Sequence, residues 1–235
     1  MNKSTISQAF LGSELIDLSH FLDDERPGAH RMYERITWMT PAMNDRFNAG
    51  MLFVHEHAGT HVDAPIHVAG VEGPTIDEIP LDRWSGECCV IDVKGKERNG
   101  LVEVEEISAW EDSHRQIEKD DCVLFDFGWP SPWDSPDEGN SLDYSGYPGI
   151  SEEAAEYLVS KRVKLVGTDC LNVDASSDET FKAHGVLLDN HVSVIEGLTN
   201  LHKLPPMGAF FMAFPLKIKN GSGSPVRAAA FIPRR

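Results

Sequence analysis

Apolar positions in this sequence fall in short runs broken by polar and glycine-rich stretches, and the period of each run predicts its element. ELIDLS reads as a first strand, and AGMLFVHEHAGTHVD as a longer one. CCVIDV and CVLFDFG are further short strands, separated by a helix through Val104 to Trp110. After Ser151, a residue suited to capping a helix, Glu152 and Glu153 favour the positive end of the helix dipole; Ala154, Ala155, Tyr157, Leu158 and Val159 supply an apolar face. That helix leads into VKLVGTD, a strand ending at Thr168 and Asp169. Another helix is expected from near Asp178, carrying His184, Leu187 and Leu188, before the strand VSVIEG ends at Glu196. The tail, FFMAFPLKI…NGSGSPVRAAAFI, reads as two strands joined by a glycine-rich turn. Strands alternating with helices predict an α/β fold. With 235 residues and 41% hydrophobic content, the chain is expected to form one domain over residues 1–235.

Residues 128–150, GWPSPWDSPDEGNSLDYSGYPGI, follow neither period. A loop this long in a compact domain is usually functional or disordered, and its aromatic residues favour function. Trp129, Trp133, Tyr144 and Tyr147 are candidates for the wall of a site for a flat substrate; anchoring of a surface loop is the equally weighted alternative.

Charge narrows the partners. A formal net charge of −17 argues against nucleic acid and against anionic membrane surfaces, both of which need clustered Lys and Arg. Cys88, Cys89, Cys122 and Cys170 contain no C-x-x-C pair and read as buried thiols of a reducing compartment. The N-terminus lacks the apolar stretch of a signal peptide, so a cytoplasmic protein is expected.

The chemistry concentrates in HAGTHVDAPIH, residues 57–67. On an extended chain His57, His61, Asp63 and His67 share one face, while Ala58, Val62, Ala64 and Ile66 take the other. His57 and His61 would also share a helix face, but Gly59, Thr60, Val62 and Pro65 make poor helix interior. Two imidazoles and a carboxylate are a suitable ligand set for Zn²⁺ or Mn²⁺ with positions left open for water. His67, beyond the kink at Pro65, is the candidate to move protons. Any single histidine here could be an ordinary half-buried polar residue, but four ionisable groups on one face make that reading weak for the set. His55 and His57 also form an H-x-H pair similar to cupin metal sites, though the glutamate such a site needs is missing, and His55 could stand just outside the ligands.

HAGTHVDAPIH matches H-x-G-T-H-x-D-x-P-x-H, the signature of the cyclase-like metal-dependent hydrolases, the family that includes bacterial kynurenine formamidase and isatin hydrolase. DLSH, GTD and FPLKI…GSGSPVRA also resemble the family, so the likeness spans almost the whole chain. It implies a single-domain swivelling β/β/α fold, usually assembled as homodimers or larger homo-oligomers. His57, His61 and Asp63 are then metal ligands and His67 is the proton carrier. The resemblance further implies a second ion held by His184 and Glu196, giving one or two ions per chain. Spacing alone would have picked His191, and would have read His184 and Glu196 as structural.

The resemblance also implies hydrolysis of a small aryl amide, with N-formylkynurenine the leading substrate and a cyclic amide such as isatin or a lactone next. A cupin-like oxygenase and a metal-dependent binding protein are the readings of other classes. One stretch departs from the formamidase pattern, P-x-W/Y-P-G-D. Here DDERPGAHRMYERITWM has Pro27 and Gly28 but no aromatic just before them, leaving Tyr33 or Trp38 to contact substrate.

Overall fold

The computed structural model describes residues 4–22, 33–68, 70, 72–130 and 145–234. Helix α1 (Thr5–Leu11) precedes strand β1 (Ser13–Asp17). Strands β2 (Tyr33–Met39) and β3 (Ala49–Val54) form a separate hairpin, followed by the three-residue β4 (His61–Asp63). Next come β5 (Ser85–Asp92), β6 (Leu101–Val102), α2 (Val104–Ser113), β7 (Cys122–Asp126), β8 (Gly149–Ile150), α3 (Glu152–Lys161) and β9 (Leu165–Thr168). The chain continues through α4 (Lys182–Asp189), β10 (Ser193–Glu196), β11 (Ala209–Met212), β12 (Gly223–Pro225) and β13 (Ala229–Pro233).

Nine strands form one sheet in the order β1-β13-β11-β5-β7-β9-β10-β4-β12. Its centre, β5-β7-β9-β10, is parallel, and both flanks are antiparallel. Alternation along the central strands sends Cys89, Ile91, Val123, Phe125, Val166 and Val194 into a core shared with α2, α3 and α4. Cys88, Val90, Cys122, Leu124, Leu165 and Ile195 face a second core with Trp84, Phe211 and Ala230. The sheet is covered on both sides, which suits a parallel centre rich in Val, Ile and Leu. Its two ends approach each other after β12: Val226 donates to the Thr60 carbonyl, and Leu18 to that of Ala228.

The α/β prediction holds, and so does the Ser151 cap, whose hydroxyl accepts from the Ala154 amide at 3.1 Å. All four cysteines are free and buried. Three expectations are corrected. The long strand through HAGTHVD is broken, because β3 stops at Val54 and a turn with Gly59 at φ +64° precedes β4. Helix α4 begins at Lys182 and not at Asp178: the Asp178 carboxylate accepts from the Thr180 and Lys182 amides, and Phe181 stands at φ +51°. The tail is no simple hairpin, since β11 pairs β13 while β12, between them in sequence, crosses to β4.

At the end of β9, Asp169 accepts from the Phe127 amide at 3.0 Å. Burial, only partly offset by that bond and reinforced by Asp126, raises its pKa to about 7. The folded value lies above the unfolded one, so ionised Asp169 costs stability: the penalty is absent below about pH 4 and complete above about pH 7. Asp169→Asn keeps an acceptor for the Phe127 amide and is expected to raise Tm at pH 8 but not at pH 4.5. Each kcal/mol gained corresponds to about 2–4 °C at this chain size; thermal melts at the two pH values check it.

Candidate metal centre

β4 is the hinge of the site. It pairs antiparallel with β10 in a register that sets Glu196 opposite His61 and Val194 opposite Asp63. Directly opposed residues share a face, so His61, Asp63 and Glu196 all point to the helix side of the sheet. There His184, on α4, reaches them with Nε2 at 3.2 Å from Glu196 Oε1 and 3.4 Å from Asp63 Oδ2. His61 Nε2 lies 3.3 Å from Glu196 Oε2 and 3.6 Å from Asp63 Oδ1. His57 arrives from the turn before β4, with Nδ1 2.6 Å from Asp63 Oδ1. The structure thus gathers five of the residues singled out in the sequence, although it brings His57 there by a turn and not by strand alternation.

The turn is locked to both neighbours of β4. Thr60 Oγ1 donates to the Gly197 carbonyl at 2.5 Å and accepts from the His20 amide at 2.9 Å. Gly197 sits at φ +62°, and a Cβ there would lie 2.8 Å from the Gly59 carbonyl oxygen. At Gly223 a Cβ would come within 2.4 Å of the His57 ring. These glycines let backbone pack directly against the turn that carries His57.

Each of the three histidines has one ring nitrogen on an acceptor outside the cluster. His61 Nδ1 meets the Gly59 carbonyl at 2.9 Å, His184 Nδ1 meets Asp174 Oδ2 at 2.5 Å, and His57 Nε2 meets Ser222 Oγ at 3.0 Å. With the outer nitrogen keeping its proton, the inner one is the nitrogen that donates to Asp63 or Glu196 and that would offer a lone pair once its own proton is lost. Asp174 also accepts from the Ala183 and His184 amides, fixing the start of α4. Glu196 Oε1 accepts from the Val173 amide at 2.9 Å.

Asp63, Glu196, His61 and His184 are buried. Burial works against ionised Asp63, but bonds to His184 and His57 outweigh it and hold the carboxyl well below its usual range. Glu196 is also lowered, with His184 overcoming burial. Burial likewise opposes charge on His61, yet the bond to Glu196 and the charges of Asp63 and Glu196 raise its pKa to about 9. His184 is raised well above the ordinary value by Glu196 and Asp174 against the same burial. Protons on imidazoles therefore balance a buried carboxylate pair, as a divalent cation would. The donor set fits such a cation: His57, Asp63 and His67, and separately His61, Asp63 and Glu196, offer ligand atoms within 4.8 Å of one another.

His67 ends the 3-10 turn Pro65–His67 and stacks on His57, with ring centroids 3.8 Å apart. Burial, partly countered by Asp63, lowers its pKa. His191 lies outside the cluster on an exposed turn at φ +57°. His55 accepts from the His57 amide through Nδ1, which shapes the turn.

The aromatic candidates separate. Tyr147 is half-buried, packs on the helix-side core and feels the charge of Glu196, which together with burial raises its phenol pKa. Trp129 is half-buried against the same core. Trp38 stands on β2, 59% exposed, with no ring contact to the histidines among the described residues. Trp133, Tyr144, Pro27 and Gly28 lie outside the described residues. Sequence reasoning did not single out Asp174, Ser222 or Glu56; Ser222 lies in the stretch GSGSPVRA, while Asp174 and Glu56 are marked only by the contacts that folding creates.

Fold and site together define an α/β protein with a buried histidine–carboxylate centre. The putative cyclase family profile matches residues 16–175. An isatin hydrolase of Roseibium aggregatum is 34% identical over 192 residues, 76% of this chain and 73% of its own. A kynurenine formamidase of Erythrobacter litoralis is 34% identical over 183 residues, 77% and 76% of the respective chains. An isatin hydrolase bound to the product analogue thioisatinate superposes with a TM-score of 0.88 at 28% identity, covering 97% of each chain. The chain belongs to the cyclase family, and its α/β architecture is shared with that isatin hydrolase structure.

Gly223→Ala pushes a methyl into the His57 ring, so it is expected to weaken zinc binding by at least tenfold while leaving the far-UV circular dichroism unchanged. Chelator-competition titration against wild type measures this.

Proposed function

We propose that this protein is a metal-dependent amidohydrolase that opens the C–N bond of a small aryl amide. The observation carrying this reading is the convergence of His57, His61, Asp63, His184 and Glu196 on one buried point in a member of this family. His57, His61 and Asp63 would hold one divalent ion, and His184 and Glu196 would help to hold a second. The ion is Zn²⁺ or Mn²⁺, since imidazole and carboxylate donors accept both. When bound, it supplies a water of lowered pKa and polarises the substrate carbonyl.

His67 moves the protons. Its depressed pKa leaves the ring neutral near pH 7, able to take a proton from the attacking water and return it to the leaving nitrogen. Tyr147 borders the site and stacks on the aromatic ring of the substrate, with Trp133 a further candidate. N-formylkynurenine is the lead substrate and isatin the close alternative, because curated relatives of both activities match at the same identity. We take residues 1–235 as one functional unit working in the cytoplasm, in keeping with its four free buried thiols.

The test combines metal analysis with kinetics. His61→Ala is expected to lose metal and activity together, whereas His67→Ala keeps the metal and loses roughly 10²-fold or more in kcat. An empty site in His67→Ala makes His67 a ligand, a role its position beside His57 and Asp63 also permits. Side-by-side kcat/KM values for N-formylkynurenine and isatin, with each metal, then select the substrate. Turnover of neither, with a lactone cleaved fast, overturns the aryl-amide reading.

The hairpin β2–β3 supports a homodimer or larger homo-oligomer. Ile36, Trp38, Met51, Leu52 and Phe53 are all exposed on it, and a two-stranded ribbon is marginal alone in water. A second copy of the chain covers this arm. Trp38→Ser combined with Leu52→Ser is expected to shift the sedimentation-equilibrium mass from oligomer to monomer at equal concentration.

A further inference from the structure

Next to the ligand turn, a contact chain runs outward from His57 and ends on a carboxylate. Ser222 Oγ donates to Glu56 Oε2 at 2.7 Å, and the Ser222 amide donates to the same oxygen at 2.9 Å. Having given its only hydroxyl proton to Glu56, Ser222 Oγ can only accept from His57 Nε2, 3.0 Å away. The proton on that edge of the ring therefore belongs to Nε2. His57 Nδ1 is left facing Asp63 at 2.6 Å.

The chain is held at both ends. The Ser222 carbonyl accepts from the Ala64 amide at 2.8 Å, tying the serine to the residue that follows β4. Gly223 packs its backbone against the His57 ring, so the ring cannot swing away from Ser222 on that side. His55 Nδ1 accepts the His57 amide, fixing the backbone between His55 and His57. Glu56 and Ser222 are half-buried, where a hydrogen bond to a carboxylate is stronger than in open water.

We propose that Glu56 and Ser222 are positioning residues for His57: a Glu56–Ser222 relay holds the proton on Nε2 and so assigns Nδ1 as the nitrogen offered to the metal. This rests on the reading of His57 as a metal ligand. His61 and His184 have a single acceptor on the outer nitrogen, a backbone carbonyl and a carboxylate respectively. His57 differs in reaching its carboxylate through a hydroxyl from a distant segment of the chain. An outer partner of this kind typically changes metal affinity by about 10- to 100-fold when removed.

The experiment uses the full chain labelled with ¹⁵N-histidine, zinc-free and zinc-loaded, and reads the ring nitrogens of His57 by NMR alongside zinc affinity by chelator competition. The His57 signals are assigned by their loss in His57→Gln. The expected result is a proton on Nε2 in both samples, slow to exchange with solvent, with Nδ1 shifted by zinc. Ser222→Ala and Glu56→Ala should speed that exchange and weaken zinc binding by about 10- to 100-fold. Glu56→Gln, which keeps an acceptor oxygen but not the charge, should fall between them and wild type. Circular dichroism and melting curves report whether each variant remains folded, and the milder Glu56→Gln keeps the test standing if Glu56→Ala does not fold.

Zinc at Nε2, or affinity and exchange unchanged in both Ser222→Ala and Glu56→Ala, overturns the relay. Failure of the metal reading looks different: wild type then binds no zinc, yet the zinc-free sample still shows whether Nε2 carries a protected proton that depends on Glu56. Loss of that dependence in the zinc-free protein overturns the relay on its own.

Discussion

The antiparallel register between β4 and β10 is the constraint on which the rest of the molecule's chemistry depends. Setting Glu196 across from His61, and Val194 across from Asp63, it aims three ionisable side chains at one face of the sheet. A slip of β4 by one residue would turn His61 and Asp63 toward the opposite core and leave Glu196 without them. The register is defended by apolar packing: Val62 and Ile195 are buried on the opposite core, while Val194 packs with the helices. Thr60 and Gly197 close the end of the pair with a side-chain bond.

Gathering carboxylates in a buried place is costly, and the structure shows how the cost is met. Asp63 touches three imidazoles, and Glu196 touches two as well as the Val173 amide. An uncompensated charge at this depth would cost several kcal/mol. The same arrangement raises the proton affinity of His61 and His184, so a divalent ion would have to displace protons from the same nitrogens. Asp174 and the Gly59 carbonyl confine that exchange to one nitrogen, Nε2, on each ring.

Much of this was legible in the sequence because it depends on local pattern. The strands at Cys122–Asp126 and Leu165–Thr168, the capped helix after Ser151 and the ligand signature are all written within a few consecutive residues. The errors occur where tertiary contacts override the pattern. His57 looked like a strand residue because alternation continues through Gly59, yet Gly59 adopts a left-handed conformation and the chain turns. Trp129 read equally as a substrate wall and as a loop anchor, and it packs on the same core as Tyr147, a placement that side-chain type alone does not give. Glu56 and Ser222 are ordinary polar residues until folding brings them to one ring, and His184 was distinguished from His191 by family likeness and not by spacing.

The placement of β4 also bears on how the chain comes to its final form. This three-residue strand pairs only with β10 and β12, both far along the sequence, whereas the parallel core from β5 to β9 precedes them. Contacts between distant segments must first bear the entropy of closing long loops, and a chain made from its N-terminus acquires them late. The histidine turn is synthesised before either of its partner strands. The histidine–carboxylate cluster is thus assembled after the core that supports it, and a partly made chain carries His57, His61 and Asp63 without the groups that face them.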